Sequence, residues 1–527
     1  MTTDLDLSRR TLLAAAGLGA GAVGAAQASA APVTPALAAA PGKPGTTPVS
    51  GLHLQFGADA SHEVVVSWHT LEAVVAPRVL LGHLDGRLQQ TVQARETSYV
   101  DGKSRRTVYA YHARLSGLQP GSAYLYAALH EGAEPAFGTF HTAPKGRFSF
   151  TFTSFGDQGT PTLGRILPPP PGSPPPKTPS PTYVNDNLGS PAAAWTTLGV
   201  ERLQPLFHLF NGDLCYANLA EDRVRAWWDF WENNSRSARS RPWMPSPGNH
   251  ENELGNGPIG YQAYQTYFSL PAAEGQTELT RGLWYAFTAG SVRVISLAND
   301  DIVYQDSGDS YVRGYSKGAQ KAWLERELEA ARKDRAVDWI VVCMHQVAIS
   351  TADKFNGADL AIREEWLPLF DRHGVDLVLC GHEHHYERSH PLHGKQDNAT
   401  LTPIPAATDT HVIDTSKGAV HMVLGGGGTS RPSNELFFDP PQCRVITAVG
   451  PPDPKTGKRP PVIVKELAPW SAVRNAPHAY GFGAFAVDPG ERPGGLTRMT
   501  VTYYDVTGPD GRLEPFETFT LQRPRSD

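Results

Sequence analysis

A chain of 527 residues is too long for one ordinary domain, and two or three are expected. With 40% hydrophobic and 19% charged residues it has the composition of a soluble globular protein, and beyond the N-terminus no apolar run is long enough to span a bilayer. A net charge of −6 gives no general attraction to nucleic acid or anionic lipid, so affinity for an anionic substrate has to come from a local site.

The N-terminus reads as an address. Ser8-Arg9-Arg10-Thr11-Leu12-Leu13 is a twin-arginine start, followed by an Ala/Gly-rich apolar stretch to about Ala26 and a small-x-small cleavage site at Ala28-Ser29-Ala30. An amphipathic helix would need a polar face, which this run lacks. Residues 1–30 are therefore expected to be a signal peptide cut after Ala30. The expected partner is the twin-arginine export machinery, and the expected location is secreted or otherwise extracytoplasmic. Residues 31–47, rich in Ala and Pro, read as a flexible leader.

From Gly51 the texture becomes all-β. Val64–Trp68, Arg78–Gly82, Thr107–Leu115 and Ala123–Ala128 are short strand-like runs separated by turn residues at sandwich-like spacing. Leu115-Ser116-Gly117-Leu118-Gln119-Pro120-Gly121 followed by Tyr124 resembles the corner of fibronectin type III domains, in which a tyrosine hydroxyl ties a loop to its strand. Residues 48–144 are expected to form such a sandwich, a packing module without chemistry of its own.

From Arg147 longer apolar runs appear, and each ends in a residue that metals favour. Phe148–Phe155 leads to Asp157, Leu206–Phe210 to Asp213, Trp339–Val342 to His345 and Val375–Leu379 to His382. Helix-like segments lie between them, such as Lys317–Lys333 with Trp323, Leu324 and Leu328 on one face. This pattern predicts an α/β domain over 145–524, with ligands at the carboxyl ends of sheet strands. His208 lies inside a run and reads as structural. Residues 168–181 hold nine prolines and are expected to form an extended insertion. The polar stretch Asn233–Arg241 reads as a loop or helix end. The strand-like runs Met499–Asp505 and Phe516–Leu521 are expected to complete the same domain.

Four cysteines make no disulfide framework in a chain of this size. Cys215, Cys343 and Cys380 lie near the candidate ligands, where burial as small hydrophobes is favoured over thiolate ligation. A disulfide between Cys343 and Cys380, which occupy matching positions in two runs, is left open.

Five islands carry the chemistry: Gly156-Asp157-Gln158-Gly159, Gly212-Asp213-Leu214-Cys215-Tyr216, Gly248-Asn249-His250-Glu251, Val342-Cys343-Met344-His345 and Gly381-His382-Glu383-His384. Each alone is a common turn sequence. Together they supply two aspartates, a tyrosine, an asparagine and three histidines, enough for two adjacent metal ions sharing one carboxylate. Hard oxygen donors with imidazoles select iron, manganese or zinc. A phenol with a pKa near ~10 ionises near neutrality only beside a strong Lewis acid, which suits trivalent iron. Such a pair of metals suits hydrolysis of phosphate esters.

In these islands the chain resembles the purple acid phosphatases, within the calcineurin-like metallophosphoesterases. The likeness extends to the fibronectin-like region, His384-His385-Tyr386-Glu387-Arg388, Gly425–Gly428, Pro469-Trp470-Ser471 and Gly481-Phe482-Gly483. The resemblance implies a four-layer α/β domain of two packed mixed sheets flanked by helices. It implies Fe(III) at Asp157, Tyr216 and His384, a divalent ion (Zn, Fe or Mn) at Asn249, His345 and His382, and Asp213 bridging the two. It further implies that His250 contacts phosphate and protonates the leaving alkoxide, with small phosphate esters as substrates.

The chain departs from the plant enzymes in the loop Gln346–Leu360, which lacks the histidine pair of those proteins and offers only Asp353, Lys354 and Asn356. His385, standing where a small residue is usual, is a candidate substrate contact in their place. The exported alkaline phosphatase D and phospholipase D types resemble the second island but carry aspartate where Asn249 stands. Phosphomonoester hydrolysis is thus expected ahead of phosphodiester cleavage. A non-catalytic secreted binding protein would be marked by lost ligands, and none is lost.

Overall fold

The strand Val64–Thr70 is buried along its whole length, although alternate side chains of a strand point to opposite faces. Val64, Val66 and Trp68 fill one side, while Val65, Ser67 and His69 are equally buried on the other. Two partners are therefore required. One is the second sheet of a β-sandwich. The other is the α/β part of the chain.

The computed structural model describes residues 46–161, 165–167, 182–184, 188–253, 260–305, 311–457 and 459–527. The expected signal peptide 1–30, the leader up to residue 45 and the proline-rich segment 168–181 lie outside the described residues.

In the sandwich, one antiparallel sheet runs in the order Ser50–Phe56, Val64–Thr70, Thr107–Leu115, Arg95–Val100, and the other in the order Leu88–Gln93, Arg78–His83, Ala123–Leu129, Ala136–His141. The expected corner is present: the Gln119 amide donates to the Tyr124 hydroxyl at 2.8 Å. The outer face of the first sheet packs on the helix Arg223–Ala238, where the His53 ring stacks on Trp231 with centroids 3.7 Å apart.

The rest of the chain builds two seven-stranded mixed sheets. One has the order Trp243–Ser246, His208–Asn211, Phe150–Phe155, Gly481–Asp488, Leu496–Thr507, Arg512–Pro524, Val412–Asp414. The other has the order Tyr285–Ala289, Val292–Ser296, Trp339–Cys343, Leu377–Cys380, Val420–Leu424, Tyr386–Ser389, Ser471–Arg474. One continuous apolar cluster joins residues of both sheets, among them Phe152, Leu209, Val341 and Phe485. Helix Ala192–Leu203 covers the first sheet through Gly481–Asp488 and Leu496–Thr507, and helix Ala319–Lys333 packs on Trp339–Cys343 of the second. The late strands Gly481–Asp488, Leu496–Thr507 and Arg512–Pro524 thus lie in the same sheet as Phe150–Phe155 and His208–Asn211.

One local expectation holds and one open alternative closes. The polar stretch from Asn233 is the C-terminal third of the helix Arg223–Ala238, whose start is capped by the Asp222 carboxylate accepting from the Arg225 amide at 2.9 Å. Asn234 is buried there and donates to Gln158 at 2.8 Å, so its polarity serves an internal contact. The disulfide left open between Cys343 and Cys380 is absent. Strand register sets Cys343 opposite Leu379, and all four cysteines are free and buried. Burial pushes the Cys343 thiol up to about 12, which removes thiolate character.

Candidate metal centre

Parallel strands bring the islands together. His208–Asn211 pairs in parallel with Phe150–Phe155 on one side and Trp243–Ser246 on the other, which aligns the segments bearing Asp157, Asp213 and Asn249. In the second sheet Trp339–Cys343 runs parallel to Leu377–Cys380, aligning those bearing His345 and His382. The strand ends then meet across the gap between the sheets, where the His345 Nδ1 donates to the Asn211 carbonyl at 2.7 Å.

The turns that carry these residues are tight. Asp157, Asp213, Tyr216 and His382 have φ values of 59°, 54°, 54° and 70°, a left-handed region that costs non-glycine residues energy and persists only under tertiary constraint. Two glycines show why their own islands begin as they do. A Cβ on Gly248 would lie 2.3 Å from Asp213 Oδ1, and one on Gly381 would lie 2.3 Å from Asp157 Oδ2. The backbone passes too close to the carboxylates for any side chain.

The donors fall into two groups. In the first, Tyr216 Oη lies 3.3 Å from Asp157 Oδ1 and 3.2 Å from His384 Nε2, which is itself 3.3 Å from Asp157 Oδ1. In the second, Asn249 Oδ1 lies 3.0 Å from His345 Nε2 and 3.1 Å from His382 Nδ1, with those two nitrogens 3.2 Å apart. Asp213 Oδ2 stands 3.1 Å from His345 Nε2, and the Asp213, His345 and His382 donor atoms lie within 4.8 Å of one another. Donors about 2.1 Å from one ion and at right angles stand about 3 Å apart, so both groups have the spacing of a coordination sphere.

Each histidine is oriented from behind. His345 Nδ1 is bound to the Asn211 carbonyl, His384 Nδ1 donates to the Arg431 carbonyl at 2.6 Å, and His382 Nε2 donates to Gln305 Oε1 at 2.7 Å. The nitrogen left over on each ring points its lone pair into the cluster, the arrangement of metal-bound imidazoles. The Glu251 carboxylate ties two islands together by accepting the amides of Gly248, Asp213 and Leu214 at 2.7 to 2.8 Å.

Electrostatics agree with a site that wants cations. Burial, together with the Asp157 and Asp213 carboxylates, pushes the Tyr216 phenol well above its ordinary range. It would ionise only beside added positive charge. Burial disfavours charge on His345, but the adjacent Asp213 carboxylate outweighs it and pushes the ring up to about 10. A metal ion therefore competes with a proton there, and binding should release it. The residues present fit two hard or borderline ions.

His250 borders the cluster. Its ring centroid is 4.7 Å from that of Tyr216, and its Nε2 is 3.9 Å from Asp213 Oδ2. Its Nδ1 donates to Asn218 Oδ1 at 2.8 Å, leaving Nε2 toward the donors. Burial lowers its pKa against the opposing pull of Asp213.

His385 is different. It is fully buried, with Nδ1 2.9 Å from Ser433 Oγ and Nε2 3.4 Å from Glu387 Oε2, so its ring is engaged behind the cluster and is not presented to a substrate. Of the polar residues in the loop after His345, Asn356 reaches the site by donating to the His382 carbonyl at 2.6 Å, whereas Asp353 faces Lys465 at 3.7 Å. Phe355 sets its ring edge-on to His384 with centroids 4.9 Å apart. Gln305, Asn218, Asn211 and Arg431 were invisible in the sequence as parts of this site.

Comparison with known proteins agrees with this architecture. Residues 49–151 match the family "Purple acid Phosphatase, N-terminal domain", and residues 184–386 match "Calcineurin-like phosphoesterase". An uncharacterised protein of Mycobacterium tuberculosis is 56% identical over 524 residues, covering 98% of this chain and 96% of that one. Acid phosphatase type 7 of Mus musculus is 26% identical over 467 residues, covering 85% and 87%. Among solved structures, a purple acid phosphatase from yellow lupin seeds superposes with a TM-score of 0.62 at 18% identity, covering 90% of this chain and 75% of that one. PhoD superposes with a TM-score of 0.56 at 12% identity, covering 91% of both. These two likenesses speak for the fold.

Proposed function

Since this chain belongs to the purple acid phosphatase family and is a phosphoester hydrolase, we propose that it releases inorganic phosphate from phosphate monoesters outside the cytoplasm. The family depends on two metal ions. In our reading Asp157, Tyr216 and His384 hold Fe(III), Asn249, His345 and His382 hold a divalent ion (Zn, Fe or Mn), and Asp213 serves both.

One observation carries the proposal: two donor groups, each with coordination-sphere spacing, adjoin at Asp213 with every histidine oriented from behind. Bound there, the two ions would supply Lewis-acid charge for phosphoryl oxygens and a lowered pKa for an attacking water. The chain's own residues do the rest. Asp213 fixes the relation between the two groups. His250, held through Nδ1 by Asn218, keeps Nε2 toward the cluster 3.9 Å from Asp213 Oδ2, and in its doubly protonated form it hands the Nε2 proton to the leaving alkoxide and returns to the neutral ring. Phe355 packs edge-on against the His384 ring and helps hold it in place. The ferric assignment rests on the phenol: Tyr216→Phe should abolish a visible phenolate-to-iron band, and a colourless active protein would exclude iron there.

Export is supported by the sequence of Ser8–Ala30. Monoester preference is supported by Asn249, which stands where the phosphodiesterase-like relatives carry aspartate. It is tested by initial rates of the metal-loaded protein on p-nitrophenyl phosphate and bis-p-nitrophenyl phosphate. A large monoester preference is expected. A diester preference would mean that the histidine-free loop admits phosphodiesters and would overturn the monoester reading.

A further inference from the structure

The seam between the sandwich and the catalytic fold holds a cavity of about 250 Å³. Its sandwich wall is the hairpin of Arg95–Val100 and Thr107–Leu115. Register sets Arg95 opposite His112, so Arg95, Thr97, His112 and Arg114 share one face. The opposite wall includes Gln265 and Arg281. Gln265 Nε2 donates to the carbonyls of Glu278 and Arg281 at 3.2 and 2.9 Å, fixing the loop that presents Arg281.

Three guanidiniums therefore line one small cavity, and none of its described lining residues is acidic. Arg281 meets Glu278 only at 4.0 Å, through a carboxylate that is 89% exposed, where screening leaves little attraction. Among the described residues no ion pair joins Arg95 or Arg114 to a carboxylate. His112 adds no negative charge. Its Nδ1 bonds Ser67 Oγ at 2.8 Å and its Nε2 bonds the Thr266 carbonyl at 3.0 Å. Burial keeps the ring neutral, and the positive charges of Arg281 and Arg95 act in the same direction. Such a cavity brings three guanidiniums to one opening, and guanidiniums match the oxygens of a dianion by charge-assisted hydrogen bonds.

We propose that this seam is a second anion site, separate from the metal centre, that takes a small dianionic oxyanion such as inorganic phosphate across Arg95, Arg114 and Arg281. Ser269 lines the cavity beside the guanidiniums, while the Thr97 hydroxyl is taken up by the Thr266 carbonyl and the His112 ring at 3.2 and 3.0 Å. A ligand held by both walls fastens the sandwich to the catalytic fold and stabilises the folded chain by linkage. The cavity also adjoins the metal site's scaffold: Tyr264 lines it and donates through its hydroxyl to the Pro245 carbonyl at 3.1 Å, in the strand that leads to Asn249.

The test is calorimetric titration of the full-length protein with inorganic phosphate, against chloride at equal ionic strength. Wild type should show two classes of site, and Asp213→Asn, with the metal centre disabled, should keep one. Adding Arg281→Glu to Asp213→Asn should weaken the remaining class by at least about tenfold. Arg95→Gln with Arg114→Gln, both at exposed positions, should do the same without changing metal content or p-nitrophenyl phosphate turnover in the wild-type background. No phosphate binding in Asp213→Asn beyond the chloride control overturns the proposal. So does undiminished binding in the arginine variants. If Asp213→Asn misfolds, the same arginine variants in wild type decide: loss of one class supports the site, and retention of both refutes it.

Discussion

Buried histidines gather at two places in this molecule, the domain seam and the metal centre, and their neighbours give them opposite chemistry. At the seam His53 stacks on Trp231, with its two nitrogens 2.5 and 2.9 Å from the carbonyls of Gly51 and Tyr267, to one of which the neutral ring donates. His69 stands edge-on to Trp228 and Tyr267, and neither of its ring nitrogens has a hydrogen-bond partner among the described residues. Burial is the largest influence on both rings, outweighing the carbonyls beside His53 and reinforced at His69 by the neighbouring His53, and both stay neutral. At the metal centre each ring has one nitrogen held by an oxygen and the other turned toward carboxylate, amide or phenol donors. A buried histidine is thus packing material when its surroundings are aromatic. It becomes a candidate ligand when its free lone pair converges with other donors.

The comparison breaks most visibly at Asp213. Asp213→Asn should lower kcat/KM for p-nitrophenyl phosphate by about 10³-fold or more, since loss of metal removes several kcal/mol of charge stabilisation. A variant within tenfold of wild type would show that Asp213 does not join the two groups. Next comes Gly381→Ala. Its Cβ would lie 2.3 Å from Asp157 Oδ2 and 2.6 Å from the Asn211 carbonyl, so the carboxylate must move. A displacement of that order is expected to cost about 10²-fold in kcat. Normal kcat with normal metal content would contradict the crowding argument.

A smaller effect is expected at Gln305→Ala, which frees His382 Nε2. Affinity for the divalent ion should fall by about 10- to 100-fold, read by competition with a chelator, while the tyrosine-side ion stays in place. Unchanged affinity would mean that Gln305 does not orient the ring.

The seam sharpens the contrast through pH. Burial lowers His53 to about 4 and His69 to about 3, and His112 to about 3, below the ordinary 6.5. Between those limits the unfolded chain binds more protons than the folded one. Their contribution to stability is therefore full above pH 6.5 and is lost as pH falls toward 4, by up to about 1.4 kcal/mol per pH unit for each histidine. His69→Phe should flatten the decline of the unfolding midpoint over this window. An identical slope would show that the ring is protonated in the folded state.

What could be read from the sequence was what is local in the chain. A strand, a glycine and a donor within a few residues announce a strand end whose backbone must pass close to a carboxylate, and Asp157, Asp213 and His382 follow that pattern. The sandwich was legible from its turn spacing and from the corner before Tyr124. The orienting shell was not. Gln305 meets His382 across 77 positions and Arg431 meets His384 across 47, and nothing local marks either residue. His385 misled for the related reason that adjacency to a candidate ligand says nothing about which way a ring points. The second burial face of Val64–Thr70 likewise depended on a partner far away in sequence.

The metal content of purified, metal-loaded protein, measured for wild type beside Asp213→Asn, tests the central claim most directly. Two ions per chain in wild type, with both lost together in the variant, is the result this account predicts. Two ions retained by an active Asp213→Asn protein would contradict it.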